Sequence, residues 1–298
     1  MTLALLTSWD FRLIVIIGLA IPGFFYVRGW RYLRTVTRSS RDASRANPRA
    51  ALVAGWKPSA YLGGLVVTGF ALMSPVDVLG GQLFFMHMIQ HLLMIMIAAP
   101  LLLVGNPFPV LVWGLPRRGR QIVGGLLSGQ SRFRRVITKI TSPGIVWLLF
   151  FTVYVGWHDP NLYDLALRSE FVHDIEHLTF FFASMLFWWH VTGVAPRFHR
   201  TLSTFQRLAY VLSVIPANMI LGVVIAFATK PIYTYYTTVP RLWGLTVVED
   251  QMISGMIMWI PGSMMYILAA LVLVSRIVQG EAEKPENPDA PWLVDNLI

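Results

Sequence analysis

Long apolar runs separated by short polar or basic stretches set the pattern of this chain. Seven runs are read as membrane-crossing helices, at residues 11–27, 59–75, 81–104, 143–157, 171–191, 208–229 and 251–275. Two of them are marginal, 59–75 because it carries the pair Gly63-Gly64 and 143–157 because it is short. No series of ten-residue alternating segments points to a barrel. The expected fold is all-α and polytopic, a bundle of seven transmembrane helices over residues 1–279. An acidic, proline-rich tail at 280–298 follows and is expected to be disordered.

Composition agrees with a membrane chain: of 298 residues, 55% are hydrophobic and only 13% charged. There is no cysteine, which excludes a disulfide framework, a thiolate metal site and a thiol relay. The formal net charge of +9 points to nucleic acid only until its distribution is read. The Lys and Arg fall almost entirely in alternate loops, so the expected partner is membrane lipid, with no nucleic acid. By the positive-inside rule the N-terminus is outside and the C-terminus cytoplasmic. Only Arg12 precedes or enters the first apolar run, and the basic cluster follows it, so the run is read as an uncleaved span rather than a signal peptide. The basic loop at 117–140 is either an amphipathic helix on the headgroups or a solvated loop.

With that topology, five of the seven histidines lie on the outer side or in the outer half of the membrane: His87, His91, His158, His173 and His177. Helical positions i and i+4 share a face, so His87 pairs with His91 and His173 with His177. With a helix starting near Gly81, His91 would lie about 15 Å along it, near mid-membrane. Ionisable groups that deep are costly unless paired, and they usually mark a site. A lone imidazole is more simply a hydrogen-bonding partner of a neighbouring helix. Two i,i+4 pairs with His158 on the same side are read as metal ligands.

The carboxylates at this level are Asp159, Asp174, Glu176, Glu249 and Asp250, some of them caps at helix starts. Asp174 and Asp250 are chosen as those that orient the imidazoles, and are counted with them in the candidate metal site. Met86, Met252 and Met256 sit at similar depth and are read as packing. His190 is read as an interfacial residue beside Trp188 and Trp189, and His199 as loop. The outer loop with Tyr233, Tyr235, Tyr236 and Trp243 is read as interfacial aromatics in preference to a lid over the site.

Haem is a poor fit, because ligands four residues apart cannot serve two stacked macrocycles and one haem leaves two histidines unused. A zinc hydrolase is allowed by the inventory, but no H-E-x-x-H helix or nucleophile elbow argues for it. Copper fits at least as well, since imidazole with nearby thioether suits a thiol-free site.

The stretches "HMIQHLLMIMIAAPLLLVGNP", "WHDPNLYDLAL", "VHDIEHLTFFFASMLFWW", "PIYTYY" and "EDQMISGMIMWIPG" resemble, in order, the motifs of the bacterial cytochrome c oxidase assembly factor CtaG family of the seven-span type. The resemblance covers roughly residues 60 to 275. It implies a multi-pass protein of the bacterial cell membrane, not an enzyme, that supplies copper to a haem-copper oxidase. Its expected partners are copper ion, cytochrome c oxidase subunits and extracytoplasmic copper chaperones. By motif, His87, His91, His158, His173 and His177 match the family's histidines, and Asp250 its acidic residue at the last span. A metal-free scaffold that positions oxidase subunits is the remaining alternative.

Overall fold

A computed structural model describes residues 7–39 and 55–280; the 281–298 tail and the basic residues at 40–54 lie outside the described residues. Among the described residues the chain is helical, with no strand. In chain order the helices are α1 (Leu13–Ser39), α2 (Lys57–Met73), α3 (Pro75–Gly80) and α4 (Phe84–Val104). Next come α5 (Pro107–Gly114), α6 (Arg117–Leu127), α7 (Arg132–Ile140), α8 (Pro143–Trp157) and α9 (Pro160–Arg168). The last three are α10 (Glu170–Thr192), α11 (Thr204–Phe227) and α12 (Val247–Val278).

Every apolar run picked out in the sequence is helical. By length and hydropathy, however, only α1, α4, α11 and α12 qualify alone as membrane spans, and α7 with α8 forms a fifth candidate bent by 57°. The reason is visible in the two that fall short: α2 has 17 residues, and α10 carries Glu170, His173, Asp174, Glu176 and His177 in its first turns. The polar groups that mark the site also weaken the span signal. The 117–140 loop folds as α6 and α7, neither with a buried residue, and Ile122, Leu126, Phe133, Val136 and Ile140 stand exposed on them. That is the amphipathic form of helix.

Two π-helical segments interrupt the long helices, Leu93–Ala98 in α4 and Met258–Gly262 in α12. Such insertions leave backbone groups to be satisfied by neighbours. Trp188 Nε1 donates to the Ile95 carbonyl at 2.8 Å, and Asn218 Nδ2 to that of Met258 at 2.9 Å. Pro261, within the second segment, has no amide to return to the ladder. Around these segments lies the main core, built on Phe150, Phe180, Phe187, Trp188 and Tyr266.

The short helix α5 was not foreseen. It is Pro107-led and packs along α1, and the two approach backbone to backbone at glycines. A Cβ on Gly114 would stand 1.9 Å from the Phe25 carbonyl oxygen, and one on Gly29 1.9 Å from that of Val110. Small residues at such crossings let membrane helices pack closely. Gly114→Val is expected to force α1 and α5 apart and cost about 2 kcal/mol or more. Thermal unfolding in detergent reads this, and an unshifted midpoint would contradict the packing.

Candidate metal centre

The cluster end of the bundle is where α4, α10 and α12 begin and α8 ends. The spacing that puts His87 and His91 on one face of α4, and His173 and His177 on one face of α10, makes these two faces meet. Ring centroids are 4.4 Å apart for His87 and His91 and 4.1 Å for His173 and His177. Across the helices they are 5.2 Å for His87 and His173 and 5.2 Å for His91 and His177. The Nε2 atoms of His87 and His91 face each other directly.

Glu176 enters the same space, three residues from His173 on the same face of α10. Its Oε1 lies 3.6 Å from His87 Nε2 and 3.5 Å from His91 Nε2, and the side chain is 1% exposed. Nitrogens of His87, His91 and His177 lie within 4.8 Å of one another, and so do ligand atoms of His87, His173 and Glu176. A buried carboxylate that stays ionised requires a cation or hydrogen-bond donors. Here Glu176 Oε2, His173 Nε2 and His177 Nε2 are buried without any hydrogen-bond partner among the described residues. These unpartnered donor atoms belong to α10 and lie in the cluster that its side chains form with His87 and His91 of α4, which fits a bound metal cation.

His158 stands just beyond. It caps the end of α8, its Nδ1 donates to the Tyr154 carbonyl at 2.6 Å, and its Nε2 is buried without a partner. Fixing one ring nitrogen on a backbone carbonyl leaves the other as a lone-pair donor, the usual arrangement of a ligating histidine.

The two carboxylates chosen from the sequence are not brought to the imidazoles. Asp174 lies on the opposite side of the His173–His177 face from Glu176, about 80° from its centre. It is half exposed and accepts from Arg12 Nη1 at 2.7 Å. Arg12 also bridges to Asp10 at 3.0 Å and Asp77 at 3.3 Å, forming a clasp at the rim of the cluster. Asp77 is buried there and accepts from Gln90 at 2.6 Å. Burial raises its carboxyl above the usual range, against the pull of Arg12 and Gln90.

Asp250 is fully buried and its oxygens are taken. It accepts from the Phe84 and Phe85 amides, each at 3.0 Å, and from Arg241 at 2.9 Å. It therefore caps α4, which starts at Phe84 rather than near Gly81. His91 lies about 10 Å from that start.

The tyrosine loop is also not an interfacial belt. Tyr233 and Tyr236 are at most 2% exposed and pack against Phe84 and Tyr163 over the cluster, Tyr236 stacked on Phe84 and Tyr233 edge-on to it. Tyr236 donates to the Gly80 carbonyl at 3.0 Å and Tyr235 to that of Gly81 at 3.1 Å. Tyr233 donates to the His158 carbonyl at 3.2 Å, and Thr234 is tied to Asp164. Among its aromatics, Trp243 is exposed. This loop is a roof fastened to α3, α8 and α9.

Of the methionines named from the sequence, Met86 packs with Leu79, Leu83 and Leu242, and Met252 is exposed. His190 and His199, near the far ends of α10 and the following loop, are tied to the Thr141 and Thr138 carbonyls.

An uncharacterized protein of Mycobacterium bovis (Mb0105) is 25% identical over 251 residues, 80% of this chain and 37% of its own length. One of Mycobacterium leprae (ML1998) is 24% identical over 304 residues, 98% of this chain and 43% of its own. The chain thus spans less than half the length of these relatives. No solved structure matches. The sequence pattern of the cytochrome c oxidase caa3 assembly factor family matches residues 25–280, which takes in the histidine helices, the tyrosine roof and the Asp250 cap. The chain belongs to the cytochrome c oxidase caa3 assembly factor family.

Proposed function

We propose that this chain is a seven-span membrane assembly factor, N-terminus outside and C-terminus cytoplasmic, that binds copper as cargo and helps deliver it to the copper centre of cytochrome c oxidase. The observation that carries the reading is the clustering of His87, His91, His173, His177 and the buried Glu176, with donor atoms left unpartnered among the described residues. Copper is favoured because the chain belongs to an oxidase assembly family and imidazole suits this metal in a site without thiol. The cluster is deep enough to exclude bulk water, yet His173 and the Arg12 clasp form a rim from which ligands can be exchanged one at a time. Oxidase subunits and extracytoplasmic copper chaperones are the partners this implies. The role is donation rather than catalysis.

Glu176 supplies the only carboxylate in contact with the imidazoles among the described residues. Glu176→Gln keeps its shape and removes its charge, and is expected to weaken copper binding by about 10- to 100-fold. In cells carrying only this variant, oxidase should assemble with normal subunits and reduced copper, and excess copper in the medium should restore it. Normal copper in that oxidase would contradict delivery. Loss of the subunits themselves, unrelieved by copper, would favour a metal-free scaffold. Zinc in the purified chain, with turnover of a lipid or peptide, would favour a hydrolase.

A further inference from the structure

Past the cluster, toward the middle of α4, lies a cavity of about 30 Å³ that the delivery reading leaves unused. One water needs roughly 10–15 Å³ on this measure, so the space admits one or two bodies of water or ion size. Its walls include His91, His158 and Glu176 on the cluster side and the methionines Met88, Met96 and Met258. In a chain without cysteine these methionines are the soft ligands available.

Three features distinguish this space from a packing defect. First, His91, His158 and Glu176 are among its lining residues, and each carries a buried polar atom with no hydrogen-bond partner among the described residues, His91 Nδ1, His158 Nε2 and Glu176 Oε2. Such atoms beside an empty apolar void are costly unless a guest meets them. Second, both π-helical segments reach it, one through Ile95 and Met96 and the other through Met258 and Gly262. Insertions of this kind cluster at functional sites, and the slower winding of the first brings Met96 back toward the face that carries Met88 and His91. Third, the floor is already satisfied. Asn218 accepts from Tyr154 at 2.7 Å and donates to Met258 O and Ser263 Oγ, each at 2.9 Å, so it makes no demand on the guest. A water would answer the imidazoles and the carboxylate, but three thioethers at one void select a soft cation.

We propose that this cavity is a second cargo position, which holds Cu(I) between the thioethers of Met88, Met96 and Met258 and the unpartnered nitrogens of His91 and His158. The proposal rests on the delivery reading above and adds an inner station to it. His91 borders both positions, so the cation passes between them by ligand exchange at that ring, with no change of oxidation state.

The test uses the full chain in detergent, loaded with Cu(I) under reducing conditions and washed, with copper per chain by mass spectrometry and the ligand shell by X-ray absorption. The wild type should bind a second equivalent beyond the histidine site and show sulfur in the copper shell. The Met88→Leu/Met96→Leu/Met258→Leu variant conserves side-chain volume. It should lose one equivalent and all sulfur scattering while keeping nitrogen-bound copper. Wild-type copper with nitrogen and oxygen ligands alone overturns the inner position and leaves the histidine site standing, whether or not the triple variant folds. Unchanged copper and sulfur in the folded triple variant overturns it as well. No bound copper in the wild type overturns both readings together.

Discussion

The His91→Ala/His177→Ala double variant is expected to insert as the wild type does and to lose its bound metal. These two rings are buried to 95%, from different helices, and each brings a nitrogen into the group formed with His87. Removing a group that merely orients a ligand costs about 10- to 100-fold in metal affinity, so removing two direct ligands should exceed that. Stability should suffer less. Truncating a buried ring leaves a cavity, but it also removes ring nitrogens that have no hydrogen-bond partner, and these two effects oppose each other. Metal content and thermal unfolding, measured on one preparation, separate the two. Metal retained by a folded double variant would show that the rings serve packing, and metal lost only because the protein no longer inserts would leave them structural.

Asp250 should behave in the opposite way. Its fully buried carboxylate holds the first two amides of the helix that carries His87 and His91 and is paired with the partly exposed Arg241. Asp250→Ala strands two helix amides, each costing about 1–3 kcal/mol when left unsatisfied, and takes the ion-pair partner from Arg241, which keeps its bonds to the Tyr236, Leu245 and Thr246 carbonyls. A large drop in the unfolding midpoint is therefore expected even in metal-free protein. Asp250→Asn, which keeps one acceptor, should fall in between. If Asp250→Asn instead unfolds like the wild type and releases metal, the residue is a ligand and not a brace.

Comparing these residues shows what was legible in the sequence. The two histidine pairs were, because helical periodicity fixes which side chains share a face and each pair lies within one helix. Periodicity does not separate Glu176 from Asp174, because at 100° per residue the two lie about 80° to either side of the face shared by His173 and His177. Only the packing selects between them, setting Glu176 against His87 and His91 of α4 and Asp174 against Arg12. Asp250 could not be resolved from α4 by local reasoning. Its partners Phe84 and Phe85 are 166 and 165 residues distant, and a carboxylate at the start of one helix looks like its own cap. The Arg12 clasp joins residues 162 apart for the same reason hidden. The tyrosines at 233–236 have the composition of an interfacial belt. Only the fold, by tying their hydroxyls to Gly80, Gly81 and His158, turns them into a roof.

The fold itself was readable at the level of which segments are helical, and less so in how they end. The α4 start shifts by about a turn because Leu83 is extended and the cap comes from α12. The α5 helix escaped because eight residues after a proline are too few to show a period.

The measurement that bears most directly on the central claim is the metal content of the wild-type protein, purified in detergent from copper-supplied cells, with an optical spectrum. Copper at about one or two equivalents per chain, with no haem band, is the result predicted by imidazole ligands in a thiol-free site. A chain that carries no metal under those conditions, or carries haem, would contradict it.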